Sequence, residues 1–222
     1  MRHFRLAVLL STLILAFAGS ALADTTVNMS FIGPGGNNSG GVYTYPYNFV
    51  VTPGGTAALI CDAFNNDVIA GETWTATVNT LTGGNGLFAS HANSLNNYKA
   101  AGLIFEGIVN GTINANVGNW AIWGLFSPNA TTNSYYISSG AGALAAWWQG
   151  QAGNTPNSAF SNLVLYTPIA GTQSWGGLPQ EYIGIKVPEP AEIAMLLLMI
   201  IGGVMGFAFR QRLGLKLAIA QV

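Results

Sequence analysis

The sequence predicts an α+β fold, mainly β, in which an antiparallel, β-sandwich-like domain carries a helical insertion. Two segments alternate polar and apolar residues with a period of two, which is typical of half-buried strands. Clusters rich in glycine and asparagine separate short apolar runs, and a central stretch changes to a spacing of three and four residues. Strands, then helices, then strands again indicate one sheet-based domain with the helices inserted.

The strands are predicted from alternation between turn clusters. In residues 73–81, Trp74, Ala76 and Val78 share one face, and polar residues share the other. Residues 42–51 alternate in the same way, with their aromatic residues together on one face. The remaining predicted strands cover residues 26–32, 57–61, 162–167 and 182–187.

The helical insertion is predicted from apolar spacing and from helix stops. In residues 94–109 apolar residues recur every three or four positions, and Asn110 followed by glycine ends the helix. A second helix is expected over residues 117–126, because the residue before Pro128 disfavours helical backbone. A third helix is expected over residues 141–149.

Charge and cysteine content exclude several classes of function. The chain has 7 basic and 8 acidic residues among 222, which cannot form the basic surface that nucleic-acid binding requires. Its single cysteine permits no internal disulfide. The spacing of acidic residues does not match a calcium loop, and no glycine cluster matches a phosphate loop, so we expect neither a metal nor a cofactor.

Residues 1–23 have the three-part layout of a secretory signal peptide. Arg2 and Arg5 precede an apolar stretch, and small residues end at Ala23, after which cleavage is expected. The apolar stretch is shorter than the roughly 20 residues that a membrane span requires. We therefore expect an exported β-rich domain over residues 24–187, outside the cytoplasm.

Residues 193–209 form an uncharged, apolar run near the other end of the chain. As a helix at about 1.5 Å per residue, a run of this length crosses a thin hydrocarbon layer. Arg210 and Arg212 follow it directly and acidic residues precede it, so the positive-inside rule places this end in the cytoplasm. The sequence predicts one transmembrane helix in the inner membrane and a cytoplasmic tail over residues 213–222.

The motif Val187-Pro188-Glu189-Pro190 stands immediately before the predicted span. Its two prolines hold the backbone extended and separate a membrane helix from the domain. With the apolar span and the arginines after it, residues 188–212 resemble the PEP-CTERM sorting signal. The resemblance implies recognition by an integral-membrane exosortase, processing, and display at the cell surface or in the extracellular matrix of bacteria that make exopolysaccharide, as in a biofilm.

Cys61 ends a predicted strand, and Asn119 precedes the motif Ala121-Ile122-Trp123 on a predicted helix. These segments resemble the thioester domain of bacterial surface adhesins, in which a strand cysteine and a helix glutamine condense to an internal thioester. The resemblance implies that Cys61 supplies the thiol, but Asn119, at the glutamine position, is one methylene shorter. A thioester-type covalent adhesin using Cys61 is one alternative function, and an inert Cys61 in the same fold is the other interpretation of the resemblance.

A cysteine hydrolase is a second alternative. Cysteine catalysis requires a base within hydrogen-bond reach of the thiol, and His91 is the one histidine of the exported domain. A pair of Cys61 and His91 would carry such chemistry. Because lone carboxylates elsewhere form no recognisable acid and base pair, we expect no catalytic residues and no enzyme.

Tryptophans are candidates for sugar contact, because apolar faces of hexoses pack on indole rings. Three of the six lie on predicted buried faces. The candidate carbohydrate contacts are the other three, Trp147, Trp148 and Trp175. The sequence thus predicts a non-catalytic structural or adhesive protein whose partners are an exosortase, the membrane and exopolysaccharide.

Overall fold

The computed structural model describes residues 25–186 and 198–203. Within these ranges the chain forms eight β-strands, and every strand pair is antiparallel. Six strands close into a barrel, while the short β2 and β3 form a separate hairpin. The strands are β1 (Thr25–Pro34), β2 (Asn38–Ser39), β3 (Val42–Tyr43), β4 (Tyr47–Thr52), β5 (Gly55–Cys61), β6 (Thr73–Thr80), β7 (Leu163–Pro168) and β8 (Tyr182–Ile185).

The barrel has the strand order β1-β4-β5-β8-β7-β6, and β6 pairs with β1 to close the ring. Ser30 in β1 lies between Val50 of β4 and Thr73 of β6, so β1 has no free edge at this level. The mixed, mainly antiparallel class is confirmed, but the sandwich-like arrangement is wrong, because the sheet is one closed barrel. Alternation indicates which face of a strand is buried, whereas closure depends on pairing between distant strands.

Aromatic side chains from several strands of the barrel pack together in a buried core. The Phe49 ring is fully buried, and its centroid lies 5.6 Å from that of Trp74 and 4.6 Å from that of Tyr182. Trp74 and Ala76 are both buried, so the face predicted for β6 is confirmed at these positions. Buried rings of this size contribute strongly to stability because each removes a large apolar area from water.

Five helices lie between β6 and β7, so the predicted insertion is confirmed. Asn114 caps the second helix by accepting hydrogen bonds from the backbone N–H groups of Asn116 and Val117. The helices are α1 (Ser94–Val109), α2 (Ala115–Phe126), α3 (Pro128–Thr131), α4 (Ser134–Ser139) and α5 (Ala141–Ala152), followed by a 3₁₀ turn at Asn157–Phe160. The helices α1, α2 and α5 pack against one another, and α2 also contacts β5.

Close packing of α1 depends on Gly102. A Cβ atom at this position would lie 2.5 Å from Leu81 Cδ2 and 3.1 Å from Phe160 Cδ1. Both distances are shorter than an ordinary carbon contact, which is about 3.5–4.0 Å. The missing side chain therefore lets α1 approach the end of β6 and the 3₁₀ turn.

The predicted strand over residues 42–51 is divided into two strands. The first ends at Tyr43 and the second begins at Tyr47, with Pro46 between them. Proline has no backbone N–H and cannot donate to a strand ladder. The common aromatic face is therefore wrong, because Tyr47 and Phe49 are buried whereas Tyr43 is exposed.

The terminal predictions fall almost entirely outside the described residues. These include the signal peptide at residues 1–23, the motif at residues 187–190 and the arginines Arg210 and Arg212. Of the predicted span, residues 198–203 are described and are helical. Within the two described ranges, no helix has both the length and the apolar content needed to cross a bilayer.

Candidate functional site

Cys61 and Asn119 lie together where α2 meets the end of β5. Cys61 is the last residue of β5, and Asn119 lies near the beginning of α2. Both residues are fully buried. The structure therefore brings together the two residues that correspond to the cysteine and the glutamine in the thioester resemblance.

The side-chain amide of Asn119 is held at both ends by backbone groups. Its Nδ2 donates to the carbonyl oxygen of Cys61 at 2.9 Å, and its Oδ1 accepts from the backbone N–H of Tyr45 at 2.8 Å. These two bonds connect α2, β5 and the segment before β4. We call this arrangement the amide clamp; a buried polar group that loses such a partner costs about 1–3 kcal/mol.

The Cys61 thiol is shielded rather than activated. Its side chain is fully buried, and its Sγ accepts a hydrogen bond from Trp123 Nε1 at 3.4 Å. Burial raises the pKa of the Cys61 thiol, the charge of Asp62 raises it further, and the hydrogen bond from Trp123 opposes both effects. Because the thiolate is the nucleophile, a neutral buried thiol is poorly suited to attack.

A thioester at this position would join Cys61 Sγ to the side-chain carbonyl carbon of Asn119 and release Nδ2 as ammonia. That reaction would remove the hydrogen bond from Nδ2 to the Cys61 carbonyl. It would also need a proton to leave a thiol whose pKa is raised by burial. In the structure, a hydrogen bond from Asn119 to the Cys61 carbonyl joins the helix to the strand.

The β2–β3 hairpin and the segment after it are attached to α2 beside the amide clamp. Trp120 Nε1 donates to Ser39 Oγ at 3.1 Å, and Thr44 Oγ1 donates to Asn116 Oδ1 at 2.6 Å. Gly40 turns the hairpin with a φ of +60°, and a Cβ atom there would lie 2.6 Å from the Trp120 ring. The hairpin can therefore pack closely on α2 because this position is glycine.

Asp62 and Glu181 form a buried carboxyl pair that the sequence analysis missed. Both are fully buried, and the backbone N–H of Asp62 donates to the backbone carbonyl of Glu181 at 3.2 Å. The Glu181 carboxylate accepts three hydrogen bonds: from Tyr98 Oη at 2.6 Å, from Leu87 N at 2.7 Å and from Thr167 Oγ1 at 2.5 Å. Charge-assisted bonds of this kind join α1, β7 and the turn before α1 to one acidic group.

The Asp62 carboxyl group has no donor of its own. Neither oxygen accepts a hydrogen bond from any residue in the described part of the chain. Burial raises the pKa of Asp62, and the charge of Glu181 raises it further. A pKa raised in this way favours the neutral, protonated form of Asp62 in the folded protein.

The Glu181 carboxyl group is poorly placed to bind a metal ion. Metal ions bind to oxygen lone pairs, but the Glu181 oxygens already accept from Tyr98, Leu87 and Thr167. Across residues 25–186 and 198–203, no group of three His, Cys, Asp or Glu side chains is placed to hold a metal ion.

His91 and Cys61 are in different environments. His91 is exposed in the turn before α1, and its ring centroid lies 5.2 Å from that of Phe88. Cys61 lies in the core with its thiol bonded to Trp123. A general base acts within hydrogen-bond reach of the group it deprotonates, and the structure does not bring His91 to the thiol.

The three candidate tryptophans differ in exposure. Trp147 on α5 is 61% exposed, and Trp175 in the loop after β7 is 62% exposed. Trp148 is half-buried against the core, and its indole Nε1 is buried with no hydrogen-bond partner among the described residues. Trp147 and Trp175 are therefore available for contact, while Trp148 contributes mainly to packing.

No protein-family model, curated protein or solved structure matches the chain. The features of the molecule that bear on function are the barrel with its inserted helices, the amide clamp and the nearly uncharged surface. These features are all visible within residues 25–186.

Proposed function

We propose that the chain is an exported, non-catalytic protein of the bacterial cell surface or extracellular matrix that acts by non-covalent contact. The observation that carries this proposal is the nearly uncharged surface of the domain. Residues 25–186 contain seven charged residues, and four of them are buried. The three at the surface are Asp67, Glu106 and Lys186.

Such a surface favours neutral partners. Clusters of like charge steer ions and charged polymers towards a protein, and this domain presents no such cluster in its described residues. Its exposed hydrogen-bonding groups come largely from Thr, Asn and Ser. These groups suit the hydroxyl groups of a polysaccharide, which supports a role in matrix contact.

The proposed route to the surface is based on the two ends of the sequence. Residues 1–23 resemble a signal peptide, and residues 188–212 resemble a PEP-CTERM signal. The span at residues 193–209 anchors the domain on the outer side of the inner membrane. An exosortase then recognises the Pro-Glu-Pro segment, and the processed protein reaches the cell surface or the matrix.

The contact of Asn119 with Cys61 favours a second candidate function, a covalent thioester adhesin. The two residues are adjacent at the end of β5, as such an adhesin requires. The amide clamp and the raised pKa of the Cys61 thiol support the non-covalent role instead. Intact mass separates the two candidates, because thioester formation releases one ammonia.

Matrix contact is tested by co-sedimentation of the full chain, in mild detergent, with the insoluble exopolysaccharide of the producing bacterium. We expect the protein to pellet with the polysaccharide equally at low and high salt, because contact between neutral groups is not screened. Equal recovery in the pellet with and without polysaccharide would contradict the proposal.

Sorting is tested by replacing Pro188 and Pro190 with alanine. We expect the variant to stay in the inner membrane fraction, while the unchanged chain reaches the surface or the medium. Pro156→Ala is the matched control, because Pro156 is an exposed proline before the 3₁₀ turn. If the double variant reaches the surface as efficiently as the unchanged chain, the motif is not a sorting signal.

A further inference from the structure

The outer surface of β1 and β6 carries an ordered set of hydroxyl and amide side chains. Intervening residues such as Met29 and Trp74 are buried, so the alternate side chains lie on the outer side of the barrel, where they are exposed or half-buried. We call these alternate residues the polar face. It consists of three directly opposed pairs: Thr26 and Thr77, Asn28 and Thr75, and Ser30 and Thr73.

Trp175 lies beside one end of the polar face. The backbone N–H of Ser174 donates to the Thr73 carbonyl at 2.8 Å, and the backbone N–H of Thr73 donates to Ser174 Oγ at 3.0 Å. Trp175 follows directly and is 62% exposed. An indole that stays in water forgoes the stabilisation of burial, so an exposed tryptophan attached to a sheet is a candidate contact residue.

The strands that form and flank the polar face are uncharged, and Glu72, which precedes Thr73, is buried. Neither β1 nor β6 contains Asp, Glu, Lys or Arg, and neither does β4 on the other side of β1. Residues 169–178, which include the loop with Trp175, also lack charge. Electrostatic attraction therefore cannot select the partner of this face.

The polar face presents its groups at the regular spacing of a sheet. Side chains on one side of a strand repeat about every 6.8 Å, and neighbouring strands lie about 4.8 Å apart. Within the face, Thr75 Oγ1 donates to Asn28 Oδ1 at 3.3 Å. This long bond leaves most lone pairs and the Asn28 amide hydrogens available for an extended ligand.

We propose that the polar face and Trp175 bind a neutral polysaccharide chain. The inference rests on the proposed matrix function and adds the binding surface and the chemistry of the polymer. One sugar ring stacks its apolar face on Trp175, and the hydroxyl groups of neighbouring sugars pair with the polar face directly or through water. Without cationic groups, the face offers no attraction to an anionic polymer.

The first experiment compares Trp175→Ala with Trp147→Ala in the full chain. Trp147 is the matched control because it is almost equally exposed but lies on α5. The probes are insoluble cellulose, a neutral glucan, and calcium alginate beads, an anionic polymer. We expect the unchanged chain and Trp147→Ala to bind cellulose in preference to alginate, and Trp175→Ala to bind it about tenfold more weakly or worse, as for a central aromatic contact.

A second variant, Thr75→Val, tests the polar face itself. Valine has nearly the shape of threonine and a high strand propensity, so the barrel is expected to fold. Loss of one hydroxyl group should weaken cellulose binding several-fold, in line with one hydrogen bond. Circular dichroism and thermal unfolding confirm the fold of each variant before binding is measured.

The outcomes separate this inference from the matrix function. If the unchanged chain binds the exopolysaccharide of the producing bacterium but Trp175→Ala binds it equally well, the polar face is not the binding surface. An equal loss of cellulose binding in Trp175→Ala and Trp147→Ala would also overturn the inference, and so would stronger binding of the unchanged chain to alginate than to cellulose. If the unchanged chain binds neither cellulose nor the exopolysaccharide, both the inference and the matrix function fail.

Discussion

Asn119 in α2 donates from its side-chain Nδ2 to the main-chain carbonyl of Cys61 in β5 at 2.9 Å. The same amide accepts from the backbone of Tyr45 at 2.8 Å, so one side chain connects three segments that are distant in sequence. Both Asn119 and Cys61 are fully buried. The amide clamp therefore gives this pair a structural role in holding the helical insertion against the barrel.

Replacement of Asn119 by alanine should destabilise the protein by about 2–5 kcal/mol, because it leaves the Cys61 carbonyl and the Tyr45 N–H unpaired and creates a cavity. The measurement is the free energy of unfolding in urea. Asn116→Ala is the control: it removes one hydrogen bond, from Thr44, at a half-buried position and should cost about 1 kcal/mol. An equal loss of unfolding free energy in the two variants would contradict the structural role of the amide clamp.

The buried carboxyl of Asp62 should make stability fall as pH rises. Its pKa is raised in the folded state, chiefly by burial and then by Glu181, so the folded protein keeps a proton that the unfolded chain releases above about pH 4. The resulting stabilisation is fully present below the unfolded pKa and is lost as pH rises towards and through the folded pKa. The free energy of unfolding should fall by at most about 1.4 kcal/mol per pH unit from this one group.

Asp62→Asn tests this directly, because asparagine has nearly the shape of aspartic acid and is neutral at every pH. Urea unfolding between pH 4 and pH 8 should give a flatter stability profile for the variant than for the unchanged chain, and greater stability at pH 8. Asp67→Asn, at an exposed aspartate, should leave the slope as it is. A profile that Asp62→Asn does not flatten would show that Asp62 is ionised in the folded protein.

The thiol and phenol groups near Asp62 do not titrate within that pH range. The pKa of Cys61 is raised by burial, and so are those of Tyr47, Tyr98 and Tyr182. Each of these groups therefore remains neutral up to pH 8, and the difference between Asp62→Asn and the unchanged chain reports on the buried pair of Asp62 and Glu181.

Two glycine-to-alanine changes should have opposite effects on the free energy of unfolding. Gly102→Ala places a Cβ atom 2.5 Å from Leu81 Cδ2 and should destabilise the protein by about 1–3 kcal/mol through overpacking. Gly150→Ala lies near the end of α5, where nothing is within 4 Å, and should stabilise it by up to about 1 kcal/mol through helix propensity. Thermal unfolding measures both, and a stabilising Gly102→Ala would contradict the close packing of α1.

Local signals in the sequence were sufficient for most individual elements. The predicted helix over residues 94–109 is confirmed at both ends, because apolar spacing and the Asn110-Gly111 stop agree. The second helix begins two residues before its predicted start, at Ala115. Asn114 is a strong N-cap residue, so a signal for this boundary was present and was missed.

Features that depend on distant pairing could not be predicted in this way. Barrel closure requires β6 to pair with β1, and alternation within a strand does not specify its partner. Asp62 and Glu181 are far apart in the chain, and the sequence favoured a turn-forming role for Asp62, whereas pairing of β5 with β8 brings the two residues together. The contact of Cys61 with Asn119 was anticipated only through a resemblance to adhesins.

The most direct test of the central claim, that Cys61 is held without covalent chemistry, is the intact mass of the full chain treated with iodoacetamide before and after unfolding. We predict no alkylation of the folded protein, one carbamidomethyl group on Cys61 after unfolding, and no loss of ammonia in either state. A mass lower by one ammonia, with Cys61 still unalkylated after unfolding, would contradict the account and establish a thioester.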